Sequence, residues 1–149
     1  MGVAMKILLA SLLALGLCSL APPPRVSAPS LPRNSDGELE VSIMKLTSIE
    51  WRRGARLPDW VKALDGQRVK VLGYMALDTD EGSHSFRQTW DQCGCESAKA
   101  SHFIAVDLGE KTTGYNPDEI SVIGTMSVGE REEDGFITSL FRIAAESVH

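Results

Sequence analysis

The sequence predicts an all-β domain, mainly a small five-stranded antiparallel barrel, with one short N-terminal helix. Three observations predict it. Five segments have strand-like composition or period-two alternation, beginning at Arg68, Ser85, His102, Ile120 and Phe136. Each is bounded by Gly, Asp, Asn or Pro clusters, and the starts recur every 16 to 18 residues. No strand–helix–strand alternation is present, which disfavours a parallel sheet.

Ahead of that domain, Lys6 precedes an apolar block from Ile7 to Ala21, followed by three prolines. This is the layout of an export signal. The block is shorter than the ~20 residues a stable transmembrane helix needs, so residues 1–21 are expected to be removed, with cleavage as late as residue 28 as the other option. Leu15-Gly16-Leu17-Cys18 resembles a bacterial lipoprotein box, although Leu17 is bulkier than its usual residue. Cys18 is therefore either discarded or lipidated. Residues 22–38 hold five of the seven prolines and few large apolar groups, and read as a disordered tether. Residues 39–149, about 110 residues, suffice for one core.

Within the domain, Leu39–Met44 alternates briefly and is either a short strand or an irregular lead-in. Leu57-Pro-Asp-Trp-Val-Lys-Ala-Leu64 places Trp60, Val61 and Leu64 on one side, with Pro58 suited to a first helical turn and Asp65-Gly66 to a stop. The strands follow: Arg68–Leu77, Ser85–Trp90, His102–Leu108, Ile120–Val128 and Phe136–Ile143. In the first, Val69, Val71, Met75 and Leu77 share a face. Val69-Lys-Val-Leu-Gly-Tyr-Met75 and Ile120-Ser-Val-Ile-Gly-Thr-Met126 each carry a glycine mid-strand, where only a sharp bend or a close backbone approach justifies it. A five-stranded barrel of the oligonucleotide/oligosaccharide-binding (OB) type needs such bends and pairs its first and fourth strands. Gly73 and Gly124 are thus expected in neighbouring strands.

Leu57-Pro-Asp-Trp-Val-Lys-Ala-Leu-Asp-Gly-Gln-Arg-Val-Lys-Val-Leu-Gly-Tyr-Met75 resembles the opening of the domain-of-unknown-function family 3299. The resemblance continues through a cysteine pair, Phe103-Ile-Ala-Val106, Val122-Ile-Gly-Thr-Met126 with Val128-Gly-Glu, and a last strand after Asp134-Gly135, covering about residues 44–148. It implies an exported bacterial protein, often a lipoprotein, with a small barrel-like domain and a cysteine pair in this connection. Some relatives lie beside transport operons, including ones concerned with metal. Here Gly94 separates Cys93 from Cys95, whereas nearer relatives tend to have adjacent cysteines.

WDQCGCESAKASH, residues 90–102, concentrates the reactive side chains. If it caps a hairpin, His102 returns near Gln92, while His84 sits roughly 30 Å away at ~3.3 Å per strand residue. The candidate ligands are then Cys93, Cys95 and His102, with Asp91 or Glu96 as a fourth. A single intervening residue is a tight bite for zinc, and copper(I) accepts two thiolates more readily. The same thiols suit a strained, exchangeable disulfide, with Lys99 and His102 near in sequence to lower a thiol pKa. A plain disulfide stiffening the connection is the third reading of Cys93 and Cys95.

Elsewhere, Asp78-Thr-Asp-Glu-Gly82 lacks the remaining positions of a calcium loop, and Glu130-Arg-Glu-Glu-Asp-Gly135 reads as a solvated turn. Trp51, Trp60 and Trp90 read as core or rim aromatics. After residues 1–28 are removed, 13 bases face 20 acids, a net charge of −7, which disfavours nucleic acid and anionic membrane surfaces as partners. No nucleophile elbow, phosphate loop or supported carboxylate pair is present. The expectation is an exported periplasmic or envelope-associated accessory or binding module, non-catalytic and without a cofactor, with an envelope or transporter protein as partner. It would meet membrane only through its signal or a lipid. The alternatives are a zinc- or copper-handling protein built on Cys93, Cys95 and His102, and a thiol-disulfide exchange protein. No oligomeric state is specified.

Overall fold

The computed structural model describes residues 32–92 and 99–149. It is a β protein of six strands and two short helices: β1 (Leu39–Ser42), α1 (Ile43–Thr47), α2 (Asp59–Lys62), β2 (Arg68–Met75), β3 (Ser85–Thr89), β4 (Ile104–Asp107), β5 (Ile120–Glu133) and β6 (Phe136–Val148). Among these residues no helix is long and apolar enough to cross a membrane.

The strands pair in the order β1-β2-β3-β4-β6-β5, and β5 pairs back onto β2, so β2 to β6 close partly into a ring. The expected pairing of the first and fourth core strands is thus present, from Arg68↔Thr125 to Gly73↔Ile120. Both glycines sit where another backbone comes close. A Cβ on Gly73 would lie 2.6 Å from the Thr89 carbonyl oxygen, and one on Gly124 would lie 2.2 Å from that of Ala144, beside a register shift at Ile123/Gly124.

The sheet is mixed, where the sequence suggested antiparallel pairing throughout. Strand parity forces the change: β2, β4 and β6 run one way and β3 and β5 the other, so closing the ring sets β4 beside β6 in parallel, from Ile104↔Phe141 to Asp107↔Ala144. A sixth strand is added by β1, which resolves Leu39–Ser42 as strand and runs parallel to β2. Parallel neighbours need a crossover, and residues 43–67, with both helices, supply it. The expected helix near Pro58 is α2, with Val61 buried beneath it. A second helix, α1, starts where the Ser42 hydroxyl accepts the Lys45 N–H.

Three boundaries differ from expectation. β2 ends at Met75, and Leu77 is exposed rather than part of the apolar face. β5 and β6 run on through Glu130–Glu133, leaving only Asp134-Gly135 as a turn; their φ values of 52° and 84° suit a two-residue hairpin loop. Residues 33–38, expected in the tether, fold onto the sheet: Arg33 bridges to Leu39, and the buried Glu38 carboxylate accepts from Asn34 Nδ2 and pairs with Arg68 at 2.8 Å.

Val69, Val71, Ile104, Val106, Ile120, Val122, Met126, Phe141 and Ile143 form a continuous apolar core with Leu46, Val61, Leu64 and Leu140. The period-two alternation of the strands sends the intervening residues outward.

Candidate functional site

Cys93, Cys95 and Glu96 lie outside the described residues, as does Cys18. The structure describes how both ends of the 93–98 segment are held. After β3, the Thr89 hydroxyl donates to the Asp91 carbonyl at 2.8 Å, and Gln92 Nε2 donates to the Pro117 carbonyl at 2.9 Å. The approach is therefore pinned to the β4–β5 connection. On the other side, the His102 N–H donates to the Lys99 carbonyl and the Leu140 N–H to the Ala100 carbonyl, with Ser101 buried between them. The return is pinned to β6. The His102 side chain borders a cleft of about 420 Å³ shared with Lys99 and residues 47–52. His84 belongs elsewhere: its Nδ1 lies 3.1 and 3.0 Å from the Gly109 and Lys111 carbonyls, at the exit of β4.

A second site has a denser set of functional groups, and sequence reasoning missed it. The outward residues of β3, β4, β6 and the middle of β5 form one wall. Arg87 flanks buried Phe86 and Gln88, Ala105 flanks Ile104 and Val106, Arg142 flanks Phe141 and Ile143, and Ser127 follows Met126. Past Val128 the β5–β6 hairpin is bent by register shifts between Val128 and Arg131 and between Arg131 and Glu132, and by Gly129 at φ 138°. Wall and hairpin together line a cleft of about 630 Å³.

Three arginines reach this cleft. Arg87 pairs with Asp78 and lies over the Phe103 ring, 5.4 Å from its centroid. Arg131 pairs with Glu133 at 2.9 Å. Arg142 is held differently: its Nη1 donates to the Gly129 carbonyl at 2.9 Å and to the nearly buried Ser139 hydroxyl at 3.4 Å. No carboxylate among the described residues bonds to it. Burial, and then the charge of nearby Arg131, hold the Arg142 pKa below the usual guanidinium range, against a weaker pull from Asp65. The site can therefore offer a planar donor fork and an incompletely matched positive charge beside the hydroxyls of Ser127 and Thr138.

Only one sequence signal pointed here, arginines at outward positions of two expected strands in an acidic chain, Arg87 and Arg142, and it is weak; Arg131 fell in the segment expected to be a turn. Arg87, Arg131 and Arg142 are brought together by the β4–β6 and β5–β6 pairings, which local sequence does not encode.

No family model matches the chain, and no curated protein matches it. Among solved structures, it is similar to a DUF3299 family protein from Pseudomonas aeruginosa PAO1. The identity is 18%, over 74% of this chain and 94% of that one, with a TM-score of 0.48. It is also similar to a chain of the S. pombe Stn1-Ten1 complex, at 13% identity over 79% of this chain and 80% of that one, with a TM-score of 0.35.

Proposed function

We propose that this protein is an exported, non-catalytic binding module of the bacterial cell envelope, of the DUF3299 type, which takes its ligand or partner in the cleft between the β3–β4–β6 wall and the β5–β6 hairpin. The observation that carries this reading is the cleft: a concave surface of small-molecule size on a rigid ring, where outward polar groups converge from four strands. Small closed sheets with this connectivity commonly carry ligands on a strand face and its connecting loops, which supports the reading by analogy of fold. The export signal, the proline-rich segment and the resemblance of Leu57–Met75 to the family's opening support the address. In an oxidising compartment Cys93 and Cys95 are read as a disulfide stiffening the connection after β3.

The test has two stages. Expressed with its own signal in a Gram-negative host, the chain is expected in the periplasmic or membrane fraction, shortened at residue 21 or 28. A lipid-bearing Cys18 would correct the anchor, and an unprocessed cytoplasmic chain would sink the assignment. Mature protein from that fraction is then mixed with the small-molecule fraction of a periplasmic extract. Backbone amide shifts of Ala105, Ser127 and Thr138 are expected to move; shifts only elsewhere on the molecule would reject this cleft.

A further inference from the structure

We propose that the Arg131–Arg142 end of this cleft binds the oxyanion group of a small organic molecule, a carboxylate or a phosphate, with the less polar part of that molecule lying against Ala105 and Phe103. The inference rests on the reading of the cleft as the binding surface and names the ligand chemistry.

Arg142 has no bonded carboxylate among the described residues. In a chain with 20 acids and 15 bases, carboxylates are the commoner charge, yet this partly buried guanidinium is held by a carbonyl and a hydroxyl. Removing part of a cation from water with only the weaker pull of Asp65 to oppose it is unfavourable, and a second cation nearby adds to the cost. Both costs fall when an anion arrives. The Gly129 and Ser139 contacts also orient the planar fork before binding, so little side-chain entropy remains to be lost.

Arg131 supplies a second guanidinium from the hairpin, and its pair with Glu133 is exposed on both sides and therefore weak enough to exchange for a ligand oxyanion that Arg142 holds at the same time. Guanidinia bind carboxylate and phosphate through paired N–H donors, which gives both groups the same anchor here. A small molecule fits better than a nucleic acid. The cleft's volume of about 630 Å³ lies in the small-ligand range, Asp107 and Glu133 also line it, and the chain's acidic balance repels an extended polyanion.

The experiment titrates mature full-length protein with inorganic phosphate and, separately, with citrate at low ionic strength, following backbone amide shifts. Saturable shifts at Ala105, Ser127, Arg131 and Thr138 are expected, and the tighter arm identifies the anion class. Arg142→Gln should weaken binding at least ~10-fold, about the loss of one hydrogen bond to a charged group. Arg142→Lys, which keeps the charge and loses the fork, should fall between. Should Arg142→Gln not fold, Ala105→Glu tests the same idea, since a carboxylate supplied from the cleft floor should abolish binding with both arginines intact. The proposal is overturned if neither anion moves these amides, or if a folded Arg142→Gln or Ala105→Glu protein binds as wild type. An extract component that occupies the cleft while both anions fail overturns the oxyanion assignment and leaves the binding-module reading standing. A cleft that takes neither removes both.

Discussion

The ring is joined very differently on its two sides. The β5–β6 seam pairs from Val122↔Val148 through to Glu133↔Phe136, whereas β2 and β3 pair at Tyr74↔Thr89 and Met75↔Gln88, with one further backbone bond from the Ala76 N–H to the Arg87 carbonyl at 2.8 Å. On the short side, side chains take over from the backbone ladder: the fully buried Gln88 donates through Nε2 to the Val71 carbonyl at 3.2 Å, and the Thr89 hydroxyl approaches the Tyr74 carbonyl at 3.4 Å. The long seam needs no such help and carries the hairpin that forms one side of the cleft. The short seam leads directly into the 93–98 segment. A closed sheet can thus keep one seam rigid enough to shape a binding surface and leave the other dependent on a few specific side chains.

The largest effects are expected from filling the two close approaches. Gly124→Val places side-chain atoms against the Ala144 carbonyl, 2.2 Å from the ideal Cβ, and the Ile143 side chain is also within 2.8 Å. Both neighbours belong to a ladder that runs on well past the register shift at Ile123/Gly124, so the strands can take the side chain only by separating, and a loss of about 3 kcal/mol in urea denaturation is expected. Gly73→Val meets the Thr89 carbonyl at 2.6 Å, in a seam of two pairs that can open locally. It should cost less globally and increase amide exchange of β3 before that of β6. A larger global loss for Gly73→Val would reverse the ranking of the seams.

Gln88→Ala comes next. It removes the hydrogen bond to Val71 and leaves a void at a fully buried position, for an expected loss of about 2 kcal/mol. The Gln88 Oε1 atom is itself buried without a partner among the described residues. Gln88→Met, which removes that orphan and keeps volume, should therefore recover much of the stability, as judged by the denaturation midpoint. Equal losses for both variants would mean that the Val71 bond, rather than packing, holds the short seam.

The two seams also differ in how far the sequence revealed them. The glycine-centred strands Val69–Met75 and Ile120–Met126 were legible as neighbours because a mid-strand glycine has few other uses. The parallel β4–β6 pairing was not, since parity appears only once the ring is closed. Leu39–Ser42 was undecided because four residues hold too little alternation. Glu130–Glu133 looked like a turn because its charges face solvent, although the strands continue through it to Asp134-Gly135. The arginine cleft was hidden for a related reason: Arg87 and Arg142 each look like an ordinary solvent-facing strand residue, and Arg131 like part of a charged turn, until the sheet sets them side by side. Of the ligands suggested for the 90–102 stretch, Asp91 and His102 flank the segment, and Cys93, Cys95 and Glu96 lie beyond what is described.

That segment supplies a smaller test at the weak seam. In protein made in an oxidising compartment, Cys93 and Cys95 are expected to be blocked to thiol reagents. A loop this short removes little chain entropy, so reduction, or the Cys93→Ser, Cys95→Ser double variant, should cost at most about 1.5 kcal/mol. Hydrogen exchange should rise at Thr89 while the β5–β6 hairpin is unchanged. Stoichiometric zinc or copper on the wild type that is absent from the double variant would replace the disulfide with a metal site.

The smallest effect is expected where α2 lies against β5, on the side of the long seam. Asp59 opens α2, and its carboxylate lies 2.6 Å from Lys62 Nζ. The hydrogen bond and charge of Lys62, followed by the charge of Arg56, lower the Asp59 pKa. A carboxyl with a lower pKa in the folded state contributes stability above its unfolded value of 3.8, and the contribution is lost as pH falls through the lowered one. Asp59 is fully exposed, so salt should erase most of this gain. Asp59→Asn should consequently lose only slightly in denaturation midpoint at pH 6 in low salt, match wild type at pH 2, and match it again at pH 6 in 1 M salt. A difference that persists in high salt would mean that Asp59 supports α2 by a contact other than charge, and the buttress of the long seam would then depend on the first turn of this helix rather than on Val61 beneath it.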